Sequence, residues 1–186
     1  MTPTALLVID LQRGAFDGVR CPPVDAADSL INNAARLVRA ARAGGTPIVF
    51  IQHTEDGQVF ELGTPHWELH EALAPQADDL FVAKRESSAF DGTRLAAMLD
   101  ELQAKELVLC GLQSEFCVSN TAKSALANGF DVVIAQDAHG TWPSDGRTAS
   151  AIAEQANIDL SGQGAQLRST EQLERALRDG QARIFN

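Results

Sequence analysis

The sequence predicts a three-layer α/β/α fold, with a parallel β-sheet covered by helices on both faces. Two observations carry that prediction. Short apolar runs of strand length alternate along the chain with segments whose apolar residues recur at helical spacing. The runs are also apolar almost throughout, as in Ala5-Leu6-Leu7-Val8-Ile9, which suits strands buried on both faces by helical crossovers. There is no internal repeat, low-complexity tract or linker, and 186 residues suit a single domain spanning 1–186.

The elements follow in order. The first strand, Ala5 to Ile9, ends at Asp10. A loop from Gly14 to Pro23 leads to a helix with Leu30, Ala34, Leu37, Val38 and Ala41 on one face, stopped by Gly44-Gly45. Thr46 to Gln52 forms the second strand. A long connection, His53 to Pro65, precedes a short amphipathic helix expected around Trp67 to Leu73. The third strand, Leu80 to Ala83, ends at Lys84. Asp91 is placed to cap a helix carrying Leu95, Met98, Leu99 and Leu102. The fourth strand covers Leu107 to Leu109 and stops at Gly111. A helix follows from Cys117, with Val118, Thr121, Ala122, Ala125 and Leu126 at helical spacing before Gly129. Asp131 to Gln136 is the fifth strand. A helix near Ser144 to Ala156, a weak sixth strand near Ala165 to Leu167 and a helix from Thr170 to Arg178 complete the chain.

Composition excludes several classes of function. A hydrophobic content of 45% with 22% charged residues describes an ordinary soluble globular protein. The formal charge of −10 argues against a nucleic-acid binder and offers no basic patch to anionic lipids. The longest apolar stretches are strand-sized, so no membrane span is expected. Met1-Thr2-Pro3-Thr4 runs directly into the first strand with no secretory signal pattern. Three cysteines, an odd number without a CxxC pair, point to a reducing cytoplasm rather than to disulfide staples.

Three residues suggest chemistry. The C-terminal ends of parallel strands line one edge of the sheet, where ligands bind. Asp10 and Lys84 end two strands there, and Cys117 follows a third at an expected helix start, where unpaired N–H groups favour a thiolate. An acid, a base and a thiol at one edge make a candidate catalytic group. His53 ends the second strand and is placed to reach the same site. Phe16, Trp67, Phe116 and Trp142 lie in or beside edge loops and could wall an apolar pocket for a small substrate. His66 and His70 would share a helix face, but the HExxH pattern is absent and no metal site is expected there.

Four segments together resemble the isochorismatase-like superfamily of cysteine hydrolases. They are Leu7-Val8-Ile9-Asp10-Leu11-Gln12, Lys84-Arg85-Glu86-Ser87-Ser88-Ala89-Phe90, Gly111-Leu112-Gln113-Ser114-Glu115-Phe116-Cys117-Val118 and the stretch Gly129 to Ala138. The resemblance implies a Rossmann-like six-stranded parallel sheet in the order 3-2-1-4-5-6 and a catalytic triad of Asp10, Lys84 and Cys117. It also implies a cis Leu112-Gln113 peptide, with the backbone N–H groups of Gln113 and Cys117 forming an oxyanion hole. Members of this superfamily are usually dimers or larger, so a homo-oligomer is expected. Nicotinamidases of the superfamily carry an Asp-x-His metal motif after the second strand. Here the acidic candidate reads Asp56-Gly57-Gln58, so no metal and no cofactor are expected. The implied activity is cleavage of a C–N bond in a small amide or related acyl compound through a Cys117 thioester. Two alternatives stand beside it: an isochorismatase-type vinyl-ether hydrolase, in which Cys117 is incidental, and a catalytically silent binding member of the fold.

Overall fold

A computed structural model of the chain describes residues 3–179. Six parallel strands form one sheet in the order β3-β2-β1-β4-β5-β6. They are β1 (Thr4–Ile9), β2 (Ile48–His53), β3 (Leu80–Lys84), β4 (Glu106–Leu112), β5 (Asp131–Gly140) and β6 (Gln166–Arg168). The helices are α1 (Ala27–Gly44), α2 (Leu95–Glu101), α3 (Ser119–Ala127), α4 (Ala149–Gly162) and α5 (Thr170–Arg178). This is the predicted architecture, and the cis Leu112-Gln113 peptide is present as well.

Side chains alternate between the two faces of the sheet, so each apolar strand feeds two cores. Leu6, Val8, Phe50, Val108 and Cys110 pack on one face under α1 and α5. Leu7, Ile9, Val49, Ile51 and Leu109 pack on the other, where α2, α3 and α4 contribute Leu99, Ala122 and Leu160. Full burial of an aliphatic side chain of this size stabilises the fold by about 1.5–3 kcal/mol. Central β1 lies between β2 and β4, with Leu7 level with both Val49 and Leu109. That register brings the ends of β1, β2 and β4 to the same height.

Two glycines permit close backbone approaches. A Cβ on Gly111 would lie 2.0 Å from the Ile9 carbonyl oxygen, and its φ of +128° disfavours L side chains. The register of β4 against β5 also shifts between Leu109 and Gly111. Gly111→Ala is therefore expected to lower stability by on the order of 3 kcal/mol, read by chemical denaturation; a loss within 0.5 kcal/mol, taking ~0.5 as the usual surface effect, would contradict it. A Cβ on Gly44 would lie 1.8 Å from the Leu177 carbonyl oxygen, so α1 and α5 meet where only glycine fits. The same two helices are tied by Arg36, whose guanidinium donates to Glu174 Oε2 at 2.8 Å.

Some boundaries differ from the sequence reading. The segment around Trp67 to Leu73 is not a helix but a run of turns ending in one 3-10 turn, Glu71–Leu73. Leu69 instead forms an antiparallel bridge with Gln12, and His70 donates its backbone N–H to Leu11 O at 3.0 Å. Asp91 does not cap α2; the Thr93 hydroxyl accepts from the Leu95 N–H at 3.1 Å. Helix α4 starts later than expected because Thr148 is its cap, accepting from the Ala151 N–H at 3.2 Å. Ser169 and Gln172 form a reciprocal capping box on α5.

Candidate active site

The ends of β1, β3 and β4 deliver Asp10, Lys84 and Cys117 to one place. Asp10 follows β1 in a left-handed conformation, φ +53°, which a short polar side chain tolerates. Its N–H donates to Ile51 O at 2.9 Å. Cys117 lies inside a wide turn, Ser114–Val118, that precedes α3, rather than on a regular helix start. This turn is anchored from below. The Ser114 hydroxyl pairs with His139 Nδ1 at 2.8 Å, and His139 Nε2 pairs with Asn157 Oδ1 at 2.9 Å. The Ser119 hydroxyl also donates to Ser114 O at 2.6 Å.

Lys84 is the hub. Its fully buried ammonium lies 2.8 Å from Asp10 Oδ2, 3.0 Å from His53 Nδ1, 3.2 Å from Cys117 Sγ and 3.2 Å from Glu86 O. Four acceptors thus share three N–H groups. Asp10, His53 and Cys117 have donor atoms within 4.8 Å of one another and are of types that hold divalent metals. The Lys84 ammonium lies within hydrogen-bond reach of all three. His66 and His70 do not share a helix face. His66 Nδ1 contacts Asp17 Oδ2, and His70 Nδ1 accepts from the Ala72 N–H.

Burial sets the protonation pattern. It lifts the Asp10 carboxyl above its ordinary range, and Lys84 opposes that rise. Burial, then the nearby Asp10 charge, push the Cys117 thiol up to about 11, with Lys84 again opposing. The resting site therefore holds a thiol near neutral pH, which corrects the expectation of a resting thiolate. A carboxylate with a raised pKa beside that thiol is suited to take its proton. Burial first, then Lys84 and Arg85, lower His53 to about 4, so it stays neutral near pH 7. Its Nδ1 then accepts from Lys84, leaving Nε2–H to donate to Glu55 Oε1 at 3.1 Å.

The group opens onto a cavity of about 370 Å³. Asp10, His53, Gln113 and Cys117 form its reactive wall.

The family model of the isochorismatase domain matches residues 4–172. The chain belongs to the isochorismatase family. Relatives of this family member include a streptothricin hydrolase of Streptomyces noursei, 34% identical over 171 residues that cover 91% of this chain. The chain spans 66% and 60% of the two streptothricin hydrolases it matches. It is also similar to the ureidoacrylate amidohydrolase RutB of Serratia proteamaculans, at 26% identity over 79% of this chain and 74% of that one. Among solved structures, an isochorismatase from Pseudomonas putida KT2440 superposes with a TM-score of 0.84 at 27% identity, covering 91% of this chain and 89% of that one.

Of the aromatic residues expected around the substrate of this family member, Trp142 lines the cavity, as does His53. The other three lie outside its walls. Phe16 packs edge-on against His70 at 4.8 Å. Trp67 donates its Nε1–H to Thr54 Oγ1 at 3.0 Å, and its carbonyl accepts from Gln12 and Gln52. Phe116 is 51% exposed. The remaining walls come from residues the sequence reading did not name as site residues, most of them in the two long loops at the sheet edge: Cys21 and Pro22 from the first loop, Glu55, Val59 and Phe60 from the second, and Leu112 from β4. Gln12 was missed as a positioning residue. Its side chain accepts from the His53 N–H at 2.8 Å and donates to His53 O at 3.0 Å, fixing the end of β2.

Among the described residues, no helix is long and apolar enough to cross a membrane.

Proposed function

We propose that this hydrolase cleaves the C–N bond of a small amide or related acyl compound through a thioester on Cys117, without a metal ion or cofactor. The observation that carries the reading is the Lys84 ammonium held between Asp10 and Cys117, two residues that line the cavity. The arrangement joins a base, a nucleophile and a fixed positive charge.

In this reading Asp10 removes the Cys117 proton as sulfur attacks the carbonyl carbon. The backbone N–H groups of Gln113 and Cys117 receive the oxyanion; one such donor contributes about 3–4 kcal/mol in well-studied hydrolases. The tetrahedral intermediate collapses, the C–N bond breaks, and the leaving amine takes the proton from Asp10. Asp10 then draws a proton from water, whose oxygen attacks the thioester. The carboxylic acid leaves and the proton returns to sulfur. Lys84 remains charged throughout and offsets the repulsion between Asp10 and the developing thiolate.

The direct test is intact-protein mass spectrometry after mixing with a library of small amides. An acyl adduct mapped to Cys117 is the expected result. Turnover with no trapped adduct, and with activity retained after Cys117 is blocked, would sink the thioester. Chelation supplies an independent check. Because the Lys84 ammonium lies within hydrogen-bond reach of Asp10, His53 and Cys117, prolonged dialysis against EDTA is expected to leave amidase activity unchanged. Loss of activity that is restored by zinc or iron would contradict the metal-free reading.

A further inference from the structure

The cavity has a charge pattern. Two carboxylates line it, Asp10 and Glu55, and no lysine or arginine among the described residues does. Lys84 lies behind the wall, fully buried and committed to Asp10. Arg85 pairs with Asp56, with neither residue on the cavity wall. Glu55 is held in place at both ends. Its backbone N–H donates to Phe60 O at 3.0 Å, closing the loop that also presents Val59 and Phe60, and its Oε1 receives His53 Nε2–H. Asp10 is only 3% exposed, yet its Oδ1 has no hydrogen-bond partner among the described residues. A buried acceptor at a cavity wall calls for a donor from whatever fills the cavity. The lining also includes Phe60 and Trp142, and aromatic ring faces attract cations. Trp142 is fixed by its Nε1–H, which donates to Pro22 O at 2.7 Å.

We propose that the cavity selects amides bearing an ammonium group, which Glu55 receives, and turns away substrates bearing a carboxylate. This rests on the amide-hydrolase reading above and narrows it. The scissile amide supplies its N–H to Asp10 Oδ1 and its carbonyl to the Gln113 side of the cavity. The cationic end lies between the Glu55 carboxylate and the aromatic walls. The Asp10 charge is balanced by Lys84, so a substrate carboxylate would meet the uncompensated Glu55 carboxylate, in a site where low dielectric strengthens the repulsion.

The test needs no knowledge of the natural substrate, because Cys117 reports on what enters. Two thiosulfonates of similar size and opposite charge serve as probes, 2-aminoethyl and 2-sulfonatoethyl methanethiosulfonate. With each, the Cys117 sulfur attacks the sulfenyl sulfur. A disulfide forms, the S–S bond of the reagent breaks, methanesulfinate departs with the electron pair, and the thiol proton passes to Asp10 or solvent. Rates at Cys117, separated from Cys21 by peptide mapping, are divided by the rates of each reagent with free 2-mercaptoethanol. The normalised rate is expected to favour the cationic reagent by on the order of tenfold at low ionic strength. The preference should shrink in high salt and in Glu55→Gln, and reverse in Glu55→Lys. Equal or faster labelling by the anionic reagent, a preference that survives Glu55→Gln, or failure of both reagents to reach Cys117 would each overturn the proposal. The amide-hydrolase reading is judged separately by the acyl adduct. An adduct formed without any charge preference leaves that reading standing and removes only this one.

Discussion

Cys117→Ala is expected to reduce hydrolysis by at least about 10⁴-fold while leaving the fold intact. The loss is large because a nucleophile acts as one unit with its base, so removing it removes the covalent route entirely. The structural cost is small. Cys117 is only partly buried; it lines the cavity and packs against one core, and alanine removes only its sulfur from that contact. Its turn is held by Ser114, His139 and Asn157, none of which depends on the sulfur. Steady-state rates on a purified variant, with a melting curve alongside, decide the matter. Residual activity near the wild-type level would reassign the nucleophile and revive ether hydrolysis with Asp10 as the acid.

Lys84→Met is expected to lose both activity and stability. Read as a charge at a strand end, Lys84 should cost turnover far more than stability when replaced. Its complete burial against Asp10 changes that expectation. Removing one partner of a buried ion pair leaves the other uncompensated, at a cost of about 3–5 kcal/mol. The cost depends on pH in a defined direction. Lys84 is what opposes the rise of Asp10, so in the variant the folded-state pKa of Asp10 climbs further above its unfolded value. A group shifted that way favours the fold at low pH and loses that contribution as pH rises. The melting temperature of Lys84→Met should therefore fall progressively behind that of the wild type as pH rises through the wild type's folded-state Asp10 pKa, which already lies above the ordinary carboxylate range. Adding Asp10→Asn should close much of that gap without restoring turnover. Near-normal turnover in Lys84→Met would make the lysine a bystander.

The sheet was legible in the sequence because its strands are buried on both faces and its helices show one apolar stripe. Asp10 and Lys84 were legible for a related reason: strand ends can be read, and parallel strands bring their ends together. What failed depends on contacts between distant segments. Trp67, Leu69 and Leu73 have helix-like spacing, yet their segment is held open by the Gln12 and Gln52 amides on the Trp67 carbonyl and by the bridge to Gln12. The cavity walls at Pro22, Val59 and Phe60 come from two loops without periodicity, and only the closure of those loops over the sheet edge makes them walls. The protonation of Cys117 was misjudged because it is set by burial and by Asp10, and no local motif encodes either.

The contact between α1 and α5 has a consequence for how the chain is made. Arg36 and Glu174, joined across these helices, lie 138 positions apart, and Gly44 admits the Leu177 carbonyl at the same seam. A chain emerging from the ribosome completes α1 well before α5. Until α5 arrives, part of the apolar stripe of α1 has no permanent cover, and the central strands lack one shoulder of their roof. Such a distant closing contact costs loop entropy before it returns any stabilisation. The first crossover helix therefore waits for its partner while the intervening strands are made, and in that interval the nascent chain exposes the sticky surface that chaperones recognise.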